Sequence, residues 1–348
     1  MDIILAVYLL LIILSCRMKE RGREDYLSVD NTLTLRGIAA IGIILHHLAE
    51  KIHSGIVFGW MVIAGYLLVS FFFFLSGYGL LAQYRKKKDA YLQAFLRKRV
   101  LYLLIIYLLD IALHSLADAL LGQPHSIREI ILSIFVSGVA RNSWYMIVLI
   151  VCYLLFWLVF SLFKNQSEGF RIGVVFLVQS AFVAYCLACD VAPMWYYSNY
   201  GFVAGMLYCK YRDSIDQRLA KHYAARFAGV ALFYSVFFFV PPLVERLGGW
   251  KYEFYLRNFC RLISSPTAAV LVALFAYGFH PASWYWKKLG ELSMEIYLLH
   301  GLVHTVLRSN LVYVKSDVLW SIFTIVLAIL CALPAHWMNK QIAARVKR

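Results

Sequence analysis

The sequence predicts an all-α integral membrane protein, a polytopic bundle of about 10 to 11 transmembrane helices. Hydrophobic residues make up 62% of the 348 residues, and charged residues only 15%. Apolar runs recur at close to the length needed to cross a hydrocarbon core of about 30 Å. The charges lie mainly between these runs, so the formal net charge of +15 does not indicate nucleic-acid binding. One membrane domain is expected to fill residues 1–348, without a separate soluble domain.

Ten apolar segments are expected to be spans. In chain order they are 36–50, 57–82, 98–121, 143–163, 171–189, 194–209, 224–242, 262–280, 290–307 and 317–338. The apolar run within 1–16 is short for a span at about 1.5 Å per residue. It fits a tilted additional N-terminal span, an interfacial helix or an uncleaved leader.

The distribution of basic residues predicts the orientation. Most of the 34 lysines and arginines fall on one set of alternate loops. These include "RMKERGRE" (17–24), "RKKKDAYLQAFLRKR" (85–99) and the tail "NKQIAARVKR" (339–348). The positive-inside rule places this side in the cytoplasm, and with it the C-terminus.

The cysteines do not indicate a metal or redox site. Seven are present, an odd number, and most fall in predicted spans, where a thiol serves as a small apolar group. Cys186 and Cys189 form a Cys-x-x-Cys pair, but a structural zinc site needs two further ligands nearby. We therefore expect no metal and no permanently bound cofactor.

The first span places one arginine and one histidine on the same helical face. In "TLRGIAAIGIILHHLAE" (34–50), Arg36 and His47 are eleven residues apart, which is about three turns and roughly 16 Å along the axis. His46 points elsewhere. Ionisable groups inside a span normally face the bundle interior or a wet cavity. A headgroup anchor for Arg36 and an interhelical hydrogen bond for His47 are the structural alternatives.

Such a pair suits acyl transfer from a polyanionic carrier. Coenzyme A carries phosphates that need a basic mouth, which Arg36 could form with Arg97 and Arg99. A neutral imidazole deeper in the cavity can accept the proton of an attacking hydroxyl. His47 is the candidate base.

Three further motifs contain candidate binding residues. Ser76 and Gly77 in "FFFFLSGYGL" (71–80) could contact a ligand, or serve helix packing. Trp144 and Tyr145 in "RNSWYM" (141–146) could stack on a sugar ring, or belong to an interfacial aromatic belt. His300 in "LGELSMEIYLLHGLVH" (289–304) should lie near the middle of the membrane, where it could line the cavity.

These motifs, taken in order, resemble the membrane-bound acyltransferase 3 family of polytopic O-acyltransferases. The resemblance rests on Arg36 and His47 in "LRGIAAIGIILHH", on "FFFFLSGYGL" followed by "FLRKRVLY", on "SWYM" and on "LGELSMEIYLLH". It implies acyl-CoA as a cytoplasmic donor, a carbohydrate or glycolipid hydroxyl as acceptor, and Arg36 and His47 as the essential pair.

The chain also departs from the family pattern. Many members carry two arginines spaced by two residues after the Leu-Ser-Gly helix, whereas this chain has Arg99 and then Tyr102. Many members follow the middle tryptophan motif with a glutamate, and none follows Trp144 here. The carboxylate partner of the histidine is therefore unassigned by sequence.

The expected function is transfer of an acyl group, with acetyl from acetyl-CoA as the first candidate, to a hydroxyl of a cell-surface carbohydrate or glycolipid. The resemblance implies a bacterial cytoplasmic membrane and polysaccharide biosynthesis by O-acetylation. The alternative is a transporter or glycolipid flippase that uses the same polar stripe without chemistry. Transporters often show two similar halves and broken midplane helices, and the sequence shows neither.

Overall fold

The computed structural model describes residues 1–16, 25–248 and 252–346, without the side chain of Leu247. The basic segment at 17–24 and the last two residues of the tail lie outside the described residues. Within them the fold is 81% helix and contains no strand. The fourteen α-helices are α1 Asp2–Ser15, α2 Val29–Ala49, α3 Ala64–Lys87, α4 Asp89–Gln93, α5 Tyr102–Leu120, α6 Ile127–Leu132, α7 Trp144–Leu162, α8 Glu168–Ala188, α9 Tyr200–Lys210, α10 Arg212–Leu247, α11 Glu253–Phe279, α12 Trp284–Glu291, α13 Ser293–Val306 and α14 Asp317–Val346.

Short helices of other types extend two of these elements. A 3-10 helix at Phe58–Ile63 leads into α3, and a π-helix at Leu96–Leu101 leads into α5. A second 3-10 helix at Pro193–Trp195 precedes α9. The first two extensions lengthen α3 and α5 to candidate spans of 30 and 25 residues.

The predicted all-helical membrane fold agrees with the structure, but the count of 10 to 11 spans is not confirmed. Among the described residues, eight helices are long and apolar enough to cross a membrane. The segment expected at 194–209 forms only an 11-residue helix, because the chain enters it through the 3-10 turn at Pro193. The segment expected at 290–307 is interrupted at Leu292, which leaves the 14-residue α13. The 14-residue α1 is also shorter than a full span.

Helix α2 lies in the interior of the bundle, whereas α10 lies at its periphery. In α2 the most apolar stretch is 72% buried by protein, against 6% in α10. Helix α10 also departs from helical geometry at His222 and contains Pro241 and Pro242. The middle of α2, which carries Arg36, is therefore largely surrounded by other helices.

Glycines allow α2 and α12 to pack backbone against backbone. A Cβ atom on Gly37 would overlap the carbonyl oxygen of Trp286, and one on Gly290 would overlap that of Leu33. Such close approach is the usual function of small residues between membrane helices. This contact fixes the half of α2 that carries Arg36 against the segment leading into α13.

Helices α3 and α9 use the same device. A Cβ atom on Gly77 would overlap the carbonyl oxygen of Phe202, and one on Gly205 would overlap that of Phe74. Gly77 therefore faces α9, and its structural contribution is packing. The opposite side of this part of α3, with Ser76 and Gly79, borders an open cavity.

Candidate active site

A cavity of about 690 Å³ lies beside the first half of α2. Helices α2, α3, α7 and α13 and the π-helix before α5 contribute to its wall. Its basic residues are Arg36, Lys86 and Arg99, and its aromatic residues include Tyr145, Tyr153 and Tyr297. The cavity combines positive charge with an aromatic wall, which suits a ligand that has an anionic part and a less polar part.

The guanidinium of Arg36 is available to a ligand. It makes no hydrogen bond or ion pair with any residue that the structure describes, and its electrostatic neighbours are the phenols of Tyr145 and Tyr153. An arginine presents five N–H donors, so a site that leaves them free can bind an oxyanion through two parallel hydrogen bonds.

Other arginines near this end of the bundle are neutralised by protein groups. The Arg85 side chain donates to both carboxylate oxygens of Glu168, at 2.6 and 2.9 Å. Arg212 donates to Asp216 at 2.7 Å and to Asp25 at 3.1 Å. Within the described part of the chain, the cavity cations Arg36, Lys86 and Arg99 have no such carboxylate partner. Arg99 lies over the Tyr91 ring, 5.9 Å from its centroid.

Two tyrosines of the cavity wall, Tyr145 and Tyr297, lie on the side of the histidines. The rings of Tyr145 and Tyr297 meet edge to face with centroids 4.8 Å apart. The Tyr297 hydroxyl donates a hydrogen bond of 2.8 Å to the backbone carbonyl of Asn142, which fixes its orientation. The ring of His300 lies 5.8 Å from that of Tyr297. Tyr297 thus separates the cavity from the histidines.

Both ring nitrogens of His300 are occupied. Nδ1 lies 3.1 Å from the carbonyl oxygen of Ile296, and Nε2 lies 3.3 Å from Nδ2 of Asn142. One neutral tautomer satisfies both contacts, since Nδ1–H donates to the carbonyl and Nε2 accepts from the amide. The His300 side chain is 1% exposed and stacks on His47 with ring centroids 5.1 Å apart. His300 therefore supports the His47 ring and has no nitrogen free for a substrate.

His46 and His47 have different partners. Nδ1 of His47 lies 2.8 Å from Oε2 of Glu50. Nδ1 of His46 instead lies 3.0 Å from the carbonyl oxygen of Met61, and its ring packs against Gly65, where a Cβ atom would overlap it. His46 is thereby fixed between α2 and the start of α3, while His47 faces His300.

The same cluster has the spacing of a small cation site. One ligand atom from each of His46, His47 and Glu50 can be chosen so that all three lie within 4.8 Å of one another. The hydrogen bonds that the two imidazoles make with Met61 and Glu50 account for this arrangement as a polar cluster.

The structure places most of the residues that the sequence singled out in two groups and leaves three of them outside both. Arg36, Ser76, Arg99 and Tyr145 line the cavity. His47 and His300 form the stacked pair beyond the tyrosines. Gly77, Arg97 and Trp144 are in neither group: Gly77 packs on α9, Arg97 is exposed, and Trp144 is buried at the start of α7.

Sequence reasoning missed several residues that complete these groups. In the cavity they are Lys86, Tyr153 and Tyr297; at the histidines they are Glu50 and Asn142. Helical spacing was an available signal for two of them. Glu50 follows His47 by three residues and Tyr297 precedes His300 by three, so each pair lies on one helix face.

Comparison with known proteins identifies a family for most of the chain. A family model described as an acyltransferase domain matches residues 31–337. The match spans α2 to most of α14 and therefore includes both the cavity and the histidine cluster. Neither the curated proteins nor the solved structures gave a significant match.

Proposed function

We propose that this chain, which belongs to the acyltransferase 3 family, is an integral membrane O-acyltransferase. The donor is acyl-CoA, with acetyl-CoA as the first candidate, and the acceptor is a hydroxyl of a cell-surface carbohydrate or glycolipid. No permanently bound cofactor and no nucleic-acid partner enter this proposal; the partners are the two substrates and the lipid bilayer.

The observation that carries the proposal is the arrangement of α2. One end of this helix presents Arg36, without a protein partner in the described chain, to a basic cavity. Its other end carries His47, whose Nδ1 forms a hydrogen bond with the carboxylate of Glu50. Anion binding and proton abstraction are thus supplied at two depths of one interior helix.

The cavity suits the donor. The CoA phosphates would bind Arg36, Lys86 and Arg99, because none of these cations forms an ion pair within the described chain and the cavity carboxylate Asp25 is paired with Arg212. The pantetheine arm has no charged group along its length and can extend past Tyr145 and Tyr297 toward His47. Neither His47 nor His300 lines the cavity, so the arm reaches His47 only if side chains between them, Tyr297 among them, move.

The reaction is a single acyl transfer. Nε2 of His47 accepts the proton of the acceptor hydroxyl as its oxygen attacks the thioester carbonyl carbon. The C–O bond forms, the C–S bond breaks, and the CoA thiolate leaves. The imidazolium then returns the proton to the thiolate, so the enzyme ends in its starting state.

The proposed donor determines the orientation of the protein in the membrane. Acyl-CoA is cytoplasmic, so the cavity mouth with Lys86 and Arg99 faces the cytoplasm, as does the C-terminal tail. This orientation agrees with the distribution of basic residues. The membrane is proposed to be a bacterial cytoplasmic membrane.

Mass spectrometry of isolated surface glycans tests this function. Cells expressing wild type, His47→Ala or His46→Ala are compared at matched membrane levels. We expect an O-acyl ester that His47→Ala removes and His46→Ala retains, because only His47 has the carboxylate at Nδ1. The mass of the ester identifies the acyl group.

A second assay separates the enzyme from a transporter. Purified wild-type protein is given acetyl-CoA and the identified glycan, and free thiol is measured. Thiol release that depends on the acceptor and on His47 supports the enzyme. Movement of the glycan across proteoliposomes without thiol release would overturn the proposal in favour of a flippase.

A further inference from the structure

We infer that Glu50 is the positioning residue for His47, accepting its Nδ1 proton so that Nε2 is the basic nitrogen. This inference rests on the proposed acyl transfer and adds to it the carboxylate that the sequence left unassigned. It is drawn from the local geometry at the end of α2.

The contact has the geometry of a strong hydrogen bond. Oε2 of Glu50 lies 2.8 Å from Nδ1 of His47, within the range of charge-assisted N–H···O bonds. The two residues are three apart, at the C-terminal end of the same helix, so no distant element is needed to hold them together. The other carboxylate oxygen lies 3.5 Å from Nε2 of His46, which is a longer contact.

Helix stability alone does not explain a glutamate at this position. Glu50 is the C-cap of α2, and its N–H bonds to the carbonyl of His46 at 3.1 Å. The C-terminal end of a helix carries a partial negative charge, which disfavours a carboxylate and favours a cation. The charge of Glu50 is therefore stabilised by its imidazole partner rather than by the helix.

Glu50 is ionised at neutral pH. Partial burial raises the pKa of its carboxyl, but the hydrogen bond from His47 and the nearby His46, His47 and Lys51 outweigh that effect and hold the pKa below its usual value. An ionised carboxylate can only accept, so the proton between the two groups belongs to Nδ1 of His47.

The hydrogen bond to Glu50 determines which nitrogen of His47 acts as the base. With Nδ1 protonated, the lone pair of a neutral imidazole lies on Nε2, the nitrogen left for the acceptor hydroxyl. When Nε2 takes the proton, the adjacent carboxylate stabilises the imidazolium that forms. Glu50 thus acts through His47 and need not touch the substrate.

The test is a kinetic comparison of full-length wild type, Glu50→Gln, Glu50→Asp and His47→Ala in detergent or nanodiscs. The substrates are acetyl-CoA and the surface glycan that mass spectrometry identifies as acylated. Glu50→Gln should lower kcat about 10- to 100-fold, the range expected when one charged hydrogen bond is lost. The KM for acetyl-CoA should change little, because the donor cavity lies at the other end of α2. Glu50→Asp should recover part of kcat.

Glu129→Gln is the matched control. Glu129 is an exposed glutamate that caps α6 by hydrogen bonds to Ser126, and glutamine can make the same cap. It makes the same chemical change as Glu50→Gln but lies outside the histidine cluster. We expect wild-type kcat and KM.

The pH dependence of kcat/KM distinguishes a positioning role of Glu50 from a purely structural one. A carboxylate favours the imidazolium form, so Glu50→Gln should shift the acidic limb of kcat/KM to lower pH. The other titratable groups around His47 are unchanged in this variant; they are His46, Lys51, Arg141, His300 and His304. A merely structural defect would lower activity without moving the limb.

The outcomes distinguish this inference from the proposed function. Suppose that His47→Ala abolishes transfer, whereas Glu50→Gln retains the wild-type kcat and the wild-type acidic limb of the pH profile. The role of Glu50 is then overturned, but the proposed acyltransferase function is still supported. If His47→Ala retains transfer, the role of His47 as base fails and the role of Glu50 fails with it. If wild type releases no thiol from acetyl-CoA, the proposed function itself fails. If a chelator abolishes wild-type activity and zinc restores it, Glu50 is a metal ligand and the positioning role is also overturned.

Discussion

The imidazole rings of His47 and His300 stack with centroids 5.1 Å apart and an angle of 24° between their planes. This contact joins α2 to α13, two helices that are far apart in the chain. Because His300 is held at both nitrogens, the stack gives the His47 ring a rigid support.

Removing the amide of Asn142 should loosen this support. Asn142 adopts a left-handed backbone conformation with φ of 62°, which glycine tolerates and alanine does not. Asn142→Gly therefore deletes the donor to His300 while keeping the turn. We expect a loss of about 1 kcal/mol in the free energy of unfolding and a lower kcat. Thermal unfolding and steady-state kinetics measure the two effects, and an unchanged kcat would show that His300 does not orient His47.

Replacing Arg36 should weaken donor binding without destabilising the fold. Its guanidinium has no hydrogen-bonding partner in the described chain, so Arg36→Met breaks no protein contact of that kind. The loss of a charged hydrogen bond to phosphate should raise the Kd for CoA by about 10- to 100-fold. Calorimetric titration with CoA and a melting curve test both halves of the prediction.

Arg85→Met is the control for Arg36→Met. Arg85 does not line the cavity; it pairs with Glu168 and donates to the backbone carbonyl of Cys209 at 2.9 Å. Its replacement should cost about 1–3 kcal/mol of stability but leave the Kd for CoA unchanged. Equal weakening of CoA binding by the two variants would indicate a diffuse charge effect and contradict a specific role for Arg36.

Gly79 offers a way to fill the cavity. A Cβ atom there meets nothing within 4 Å. Gly79→Ala should stabilise α3 by about 0.5–1 kcal/mol through reduced backbone entropy. Gly79→Phe should instead occupy the cavity and raise the KM for acetyl-CoA. If Gly79→Phe binds CoA with wild-type affinity, the donor does not use this cavity.

Gly77, two residues earlier, should behave in the opposite way. Because a Cβ atom would overlap the carbonyl of Phe202, Gly77→Ala should force α3 and α9 apart and lower the melting temperature. Size-exclusion chromatography and thermal unfolding measure this effect. A stable, active Gly77→Ala variant would contradict the close backbone packing of the two helices.

The interaction of Glu50 with its histidine partners should also make stability depend on pH. The pKa of Glu50 is lowered in the folded state, so its contribution is fully present above the unfolded value of about 4.3. The contribution is lost as the pH falls through the lower folded value. The difference in melting temperature between wild type and Glu50→Gln should therefore shrink below about pH 4.

A His47→Ala background provides the control for this pH dependence. Without the Nδ1 donor, adding Glu50→Gln should change the melting temperature less above about pH 4 than it does in the wild-type background. A change of the same size in both backgrounds would assign the effect to the helix end rather than to the histidine.

Hydropathy alone predicted an all-helical membrane protein, because the free energy of placing an apolar run in hydrocarbon depends on composition and length. It could not predict the span count, since the break at Leu292 and the turn at Pro193 shorten two apolar segments without changing their composition. Local helical geometry likewise placed Arg36 and His47 on one face of α2 from their spacing.

Only the tertiary structure decided which groups those two residues meet. The cavity around Arg36 is formed by α3, α7 and α13, and the stack on His47 comes from His300; both depend on contacts between segments remote in sequence. The different environments of His46 and His47 also depend on tertiary structure. His46 contacts the carbonyl of Met61 and packs against Gly65, whereas His47 does not. Helix periodicity determines where a side chain points, but its partner is set by how the helices pack.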